Sequence, residues 1–510
     1  MSDNRRVAFR SLALPGGRRL LKNIAWNLVG AGGPLVAALL TVPILIRELG
    51  TDRFGVLTIA WALIGYFGLF DLGLGRALTK LVSERLGSGR HDDVPPLAWT
   101  ALSLLLALGA LAGGLLACAS PWLGVSVLKI PLALQSESVH TLFVLAATVP
   151  LVFLTVGMRA FLEAYHRFDV VNLIRVPLGI WTFVGPLLVL QFSNRLDHVV
   201  WALAVGRLIA LAAHCLACAR VESGIFAAIR FRRHLIRPLV SFGGWLTVSN
   251  VVGPIMVYFD RFVIGAILGM SAVAYYTTPY EVIAKLGVLP DALVGVLFPV
   301  FAASIATDGR GAAKVFDQGL RGLLLVAFPA SFILATFAHD GLALWLGAEF
   351  ADRSYRVAQW LCAGMLLNSF ARVAFAITSA SGRPDLTAKL HLAELPLYVG
   401  FLWALIHQLG IVGAAAAWAI RAGVDMVILF FLASKLVPSV GLAAGRGVLR
   451  AVVGLGLIGI ATMLPGLLLR VGFLAAVLAA FAVYAWTRVV TKDERSGMMD
   501  WLSPARGNRP

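Results

Sequence analysis

The chain has 510 residues, 59% of them hydrophobic and 14% charged, with a formal net charge of +17. A soluble globular domain carries nearer a quarter charged residues, so this composition, with a mean hydropathy of +0.87, excludes a water-soluble fold and points to lipid as the solvent. The positive charge would suggest nucleic acid in a soluble protein, but no basic stretch here forms a separate folded module.

The chain opens on a basic segment, residues 1–23, carrying Arg5, Arg6, Arg10, Arg18, Arg19 and Lys22. The apolar run that follows is too long for the core of a signal peptide, so it reads as the first membrane helix. Runs long enough to cross a bilayer then recur to the end. They are Ile24–Ile46, Phe54–Leu74, Leu97–Cys118, Val139–Met158, Leu173–Phe192, His198–Cys218, Leu239–Phe259, Ala272–Pro299, Leu320–Leu342, Tyr355–Thr378, Ala393–Leu409, Val412–Leu432, Val448–Leu467 and Phe473–Thr487. The expected fold is an all-α, polytopic bundle of fourteen helices. Short gaps after Phe192, Leu409 and Leu467 would reduce it to twelve if misread. Six helices make an N-lobe over 24–218 and six a C-lobe over 239–432. A terminal pair spans 448–487, and a tail spans 488–510.

Charge tests this map, because cytoplasmic connections collect Lys and Arg. With the N-terminus inside, the inner segments hold 31 of the 43 Lys and Arg and the outer ones 8, including Arg261. The expected topology therefore has both termini cytoplasmic. No connection much exceeds about 20 residues, and the chain contains no G-x-x-x-x-G-K-[ST], so a P-loop ATPase is excluded.

The chain reads as duplicated. A shift of 219 places Trp26 on Trp245, Val29 on Val248 and Leu49-Gly50 on Leu268-Gly269, and one further residue places Gly33-Pro34 on Gly253-Pro254. Repeated halves with interrupted helices mark transporters. Gly33, Pro34, Gly253 and Pro254 are therefore candidate hinges, since proline removes a helical hydrogen bond.

Charges inside membrane helices are costly and normally face a cavity or a partner. Arg207 and Arg372 have no carboxylate on their own helix face. Arg421 has Asp425 four residues on, and Lys285 has Glu281 four residues back, so these two cations can be neutralised locally. All four are candidates for a cationic, anion-binding cavity. Asp291, Asp71 and Asp260 are candidates for ion coupling, with Asp291 expected to be the most buried and unpaired; its alternative is as partner to an Arg across the bundle. Glu394 is placed at the cytoplasmic edge. Cys215 and Cys218 form a C-x-x-C inside an apolar run and read as packing residues. No catalytic constellation, metal or cofactor is expected.

Several stretches resemble the polysaccharide biosynthesis, or oligosaccharide flippase, family of the multidrug/oligosaccharidyl-lipid/polysaccharide exporter superfamily. They are Lys22-Asn23 before a proline-broken helix, Arg47-Glu48-Leu49-Gly50-Thr51-Asp52-Arg53-Phe54-Gly55, and Phe70-Asp71-Leu72-Gly73-Leu74 leading to Arg76. Ala164-Tyr165-His166-Arg167-Phe168 with Asn172, Asp260-Arg261-Phe262-Val263-Ile264-Gly265 with Leu268-Gly269, and Leu297-Phe298-Pro299 follow. The resemblance implies two lobes around a central cavity. It implies alternating access coupled to an ion gradient, and a polyprenyl-diphosphate-linked oligosaccharide as cargo. Membrane lipid and polysaccharide assembly proteins are the implied partners. A diphosphate headgroup suits unpaired arginines. The alternatives are a multidrug antiporter of the same superfamily, which needs acidic groups for organic cations, and a membrane glycan polymerase or glycosyltransferase. The latter usually carries a sizeable outer catalytic loop, whereas the longest outer connection here offers only Lys129 and Glu137.

Overall fold

The computed structural model describes the backbone of residues 17–222, 224–226, 229–307 and 310–489. The side-chain surroundings of 17–31, 242–252, 254, 289, 306–307, 310 and 488–489 lie outside it. Trp26, Trp245, the Pro254 ring and most of the terminal tails are thus outside the described residues.

Among the described residues there is no strand. The helices are α1 Gly17–Leu69, α2 Leu74–Gly87, α3 Val94–Trp122, α4 Leu132–Ala164, α5 Phe168–Leu190, α6 Leu196–Val221, α7 Ile236–Ile267 and α8 Met270–Ala284. They continue with α9 Val288–Thr307, α10 Arg310–Thr336, α11 Ala338–Leu346, α12 Ala348–Ala380, α13 Pro384–Leu409, α14 Ile411–Leu436, α15 Gly441–Met463 and α16 Leu467–Tyr484. Only helices satisfy every backbone group within one segment in lipid, which is why apolar length translates directly into structure here.

Among the described residues, twelve stretches are long and apolar enough to cross a membrane. The first, Gly32–Gly87, holds two passes. Its backbone leaves helical geometry at Gly50, with φ 76° and ψ 164°, a region essentially restricted to glycine. A Cβ on Gly179 of α5 would meet Pro34 at 2.6 Å, while Trp61 lies edge-on to Phe183 of the same helix, so the chain turns back between them. With α7, which is 32 residues long, the long helical passes among the described residues number fourteen.

Compact units divide the chain between Ala274 and Tyr275, so α7 groups with the first unit. In that unit α4 packs on both α3 and α6, and α5 packs on α1 and α6. The α3–α4 contact is built on small residues, which let membrane helices approach closely. A Cβ on Gly109 would sit 2.9 Å from Pro150 Cα, and one on Gly113 would sit 2.6 Å from the Ala146 carbonyl. Interhelical ties close the ends. Asp52 accepts from the backbone N–H of Ser271 at 3.2 Å and from its hydroxyl, capping α8. Arg53 forks onto Glu137 at 3.1 Å, and Glu137 also accepts the Leu196 N–H at the start of α6. Lys129 donates to the Ile267 carbonyl at 2.6 Å, at the C-terminus of α7, where a cation is favourable.

In the second unit α12 packs most extensively on α14 and also on α10, α11 and α9. The terminal pair is anchored by charge. Arg450 of α15 reaches Asp317 of α10 at 2.9 Å. Arg470 of α16 forks onto Asp340 of α11 at 2.6 and 3.4 Å.

Candidate functional site

The second helical pass is interrupted after Leu69. Between α1 and α2 the backbone breaks at residues 70–73, with Leu72 at φ 49° and Gly73 at φ 74°. The N–H groups freed by a helix start must find acceptors. Here the Asp71 carboxylate takes two of them, from Gly73 and Gly75, each at 2.9 Å. Position 75 has no room for a side chain, since a Cβ there would lie 2.6 Å from Asp71 Oδ2. Asp71, a candidate for ion coupling, is thus a cap at the break.

Beside the break lies a cavity of about 270 Å³ lined by Asp71, Arg76, Thr79, Arg159, Ala160 and Glu163. Thr79 donates to the Ala160 carbonyl at 2.9 Å. Arg159 is 3.6 Å from Glu163, and its Nε makes no hydrogen bond. Arg76 is exposed and has no hydrogen bond or ion pair among the described residues. With both Asp71 oxygens committed to backbone, the cavity offers guanidinium donors to an anion. The sequence singles out Arg76 only within a family-like stretch and Arg159 not at all; their spacing from Asp71 across two helices is invisible in one strand of text.

Arg207 sits mid-way along α6, half-buried, and likewise has no hydrogen bond or ion pair with any described residue. Next to it Trp181 packs over Gly206 and donates its indole N–H to the Ala202 carbonyl at 2.7 Å. That tie holds α5 against α6.

The other sequence candidates are placed differently from expectation. Asp291 is not buried and unpaired. It is more than half exposed, and Arg372 of α12 makes an ion pair with it. The counter-charge missing from the face of α12 is therefore supplied by α9, as the alternative reading of Asp291 allowed. Lys285 is exposed in the one-turn segment Lys285–Gly287 between α8 and α9, and has no ion pair among the described residues. Asp260 and Arg261 are both fully buried, 3.4 Å apart. Arg261 also donates to the Val257 carbonyl at 2.7 Å and lies over the Tyr258 ring. Arg261, assigned from the sequence to an outer connection, is thus inside α7, and Asp260 carries a counter-charge. The Arg421–Asp425 pair is not formed. Arg421 instead lies over the Tyr398 ring, 5.5 Å from its centroid, and Asp425 approaches His391 at 3.6 Å. Glu394, expected at the membrane edge, is buried within α13.

Residues that carried the family likeness serve as ties. Tyr165 donates to Glu222 at 2.9 Å, and burial together with that carboxylate raises its phenol well above the ordinary range. Arg167 forks onto Asp169, both bonds at 3.1 Å, which raises the guanidinium further. Cys218 is buried with its thiol directed to the Met158 carbonyl, and no disulfide joins it to Cys215.

Residues 20–304 match the family described as polysaccharide biosynthesis protein. The chain belongs to the polysaccharide biosynthesis protein family. This family member is 31% identical over 419 residues to a protein assigned as an O-antigen transporter in Shigella flexneri, covering 82% of this chain and 98% of that one. It is 25% identical over 421 residues to a protein assigned as a low-salt glycan biosynthesis flippase in Haloferax volcanii, covering 81% and 82%. Its fold is similar to that of a multidrug resistance MATE family transporter of the MOP superfamily, solved in an inward-facing conformation. That likeness has a TM-score of 0.71 at 15% identity, over 81% of this chain and 98% of the other. An outward-facing MATE transporter superposes with a TM-score of 0.58.

Proposed function

We propose that this polysaccharide biosynthesis family member is a flippase for a polyprenyl-diphosphate-linked oligosaccharide. It carries that cargo across a bacterial inner membrane by alternating access, with both termini cytoplasmic and without covalent catalysis. The observation that carries the reading is Arg207, a guanidinium midway along a membrane helix with no counter-charge among the described residues. Such a charge is costly unless a ligand or water meets it, and a diphosphate accepts guanidinium hydrogen bonds in bidentate fashion. The cavity at the α1–α2 break, where Arg76 and Arg159 stand beside Asp71 and Glu163, supplies further guanidinium donors on the same unit. Arg372, Arg421 and Lys285 remain candidates for the cargo path in the second unit. Gly33-Pro34 and Gly253-Pro254 remain candidate hinges. The names of the Shigella and Haloferax relatives agree with a glycan cargo.

The test is export of the lipid-linked glycan in cells lacking this chain and complemented with variants. Arg207→Ala is expected to abolish export at normal membrane level, and Arg207→Lys to restore part of it, since an ammonium keeps the charge but loses the fork. Normal export by Arg207→Ala overturns the anionic-cargo reading. Uptake or efflux of cationic dyes by the wild-type protein, without glycan export, would favour the multidrug reading instead.

A further inference from the structure

We infer that Glu394 and Asp425, with His391 beside them, form a proton-binding site inside the membrane, in which one proton is shared between the two carboxylates. The site lies wholly in the second unit and does not depend on the identity of the cargo.

Thr387, Glu394 and Tyr398 are buried along one stripe of α13, with Leu402 and Ile406 continuing it. His391, half-buried, lies one turn beyond Thr387 on that stripe. The facing helix α14 runs back from Gly410. Arg421 comes over Tyr398, and Asp425 comes level with His391 and Glu394. One imidazole nitrogen and one oxygen from each carboxylate all lie within 4.8 Å of one another. Glu394 is 7% exposed and Asp425 6%. Neither oxygen of Glu394 has a hydrogen-bond partner among the described residues, nor does Oδ1 of Asp425. Beside Glu394 a cavity of about 200 Å³ is walled by Leu397, Phe401, Ile420 and Val424, with Tyr398 and Arg421 as its other lining residues.

A buried carboxylate without donors loses its hydration with nothing in return. Two of them a few ångström apart also repel, and such a pair holds one proton between them. The charged groups acting on Glu394 are Asp425, Arg421 and His391. From the other packed elements, Arg372 of α12 is engaged by Asp291 and Arg450 of α15 by Asp317. With a neutral imidazole the cluster bears one net negative charge. One proton neutralises it and also supplies the missing hydrogen bond, from the Glu394 carboxyl to Asp425 Oδ1, after a small side-chain rotation. A divalent ion would instead leave a net positive charge in the same apolar space. His391, whose side chain is 27% exposed, provides the exchange path to water. Removal of the proton sets two like charges across the α13–α14 contact and drives the helices apart.

The test is infrared spectroscopy on the full-length protein in lipid nanodiscs as pH is raised. The expected result is a neutral-carboxyl band at neutral pH that converts to carboxylate with release of one proton per chain. The band should be lost in Glu394→Gln and in Asp425→Asn and kept in Asp291→Asn. A wild-type protein with no carboxyl titrating above mildly acidic pH overturns the inference, even if the variants do not fold. So does a band that survives both substitutions. Stoichiometric binding of Zn²⁺ at neutral pH, lost in the same two variants, overturns it in favour of a metal ion.

Discussion

Gly50 and Gly269, 219 positions apart, occupy the same point of two copies of one turn, with φ 76° and 96°. Each follows a leucine and joins two membrane helices. Asp52, two residues after the first glycine, caps α8 through Ser271, two residues after the second. The repeat continues further on. His166 and Gly382, both in the left-handed region, each precede an arginine that forks onto an aspartate two residues later: Arg167 onto Asp169, and Arg383 onto Asp385 at 2.9 and 3.2 Å. A helix entry of one design is therefore used twice, before α5 and before α13.

Gly50→Ala tests the turn. At φ 76° and ψ 164° a Cβ meets no neighbouring atom, so the cost is backbone strain alone, about 1–3 kcal/mol. The thermal unfolding midpoint in detergent should fall, while Gly87→Ala, at a helix end with open space around it, should leave it unchanged. Equal midpoints for Gly50→Ala and wild type would mean the chain does not turn at Gly50.

Gly113→Val tests the α3–α4 contact. The added Cβ would begin 2.6 Å from the Ala146 carbonyl, and overpacking of this kind costs about 1–3 kcal/mol. Gly114→Val is the control, because Gly114 has nothing within 4 Å. The yield of folded protein by size-exclusion chromatography should drop for the first and hold for the second. The reverse order would place α4 on the other side of α3.

Bilayer thickness explains what was legible in the sequence. A hydrocarbon slab demands apolar runs of one length, so the fourteen helices and the paired Leu-Gly turns can be read directly from text. Cross-helix pairing cannot, because it depends on which faces meet. That is why Asp291 looked free while Arg372 held it, and why Arg421 was matched with Asp425 when Tyr398 of α13 was the nearer partner. Depth along a helix is also poorly encoded. Charged residues near a run's end, Arg261 and Glu394, were assigned to edges. In the fold, α7 and α13 extend past the apolar runs and bury both.

The Arg372–Asp291 pair separates a structural role from cargo binding. Both side chains are partly exposed, so the pair is open to exchange with another ligand. Arg372→Asp is expected to block glycan export. If the pair is a tie between α12 and α9, exchange of the two charges in Arg372→Asp with Asp291→Arg should recover export. If Arg372 meets the cargo, the exchange moves the cation to α9 and export stays lost. Recovery in the double variant would remove Arg372 from the cargo path.

Asp71 decides whether the break after α1 is a scaffold or a titrating site. Asparagine caps helices about as well as aspartate, whereas alanine forfeits about 0.5–2 kcal/mol. As a cap, Asp71 accepts from Gly73 and Gly75 with its two separate oxygens; Asn keeps one acceptor, so Asp71→Asn should lose one of the two bonds and still export glycan well above Asp71→Ala. Asp71→Ala should show a lower unfolding midpoint and reduced export together, because α2 loses its start and the Arg76–Arg159 cavity loses its wall. If the carboxylate instead exchanges a coupling ion, asparagine cannot replace it. Asp71→Asn would then be as inactive as Asp71→Ala at an unchanged unfolding midpoint, and the cap would be secondary to the charge.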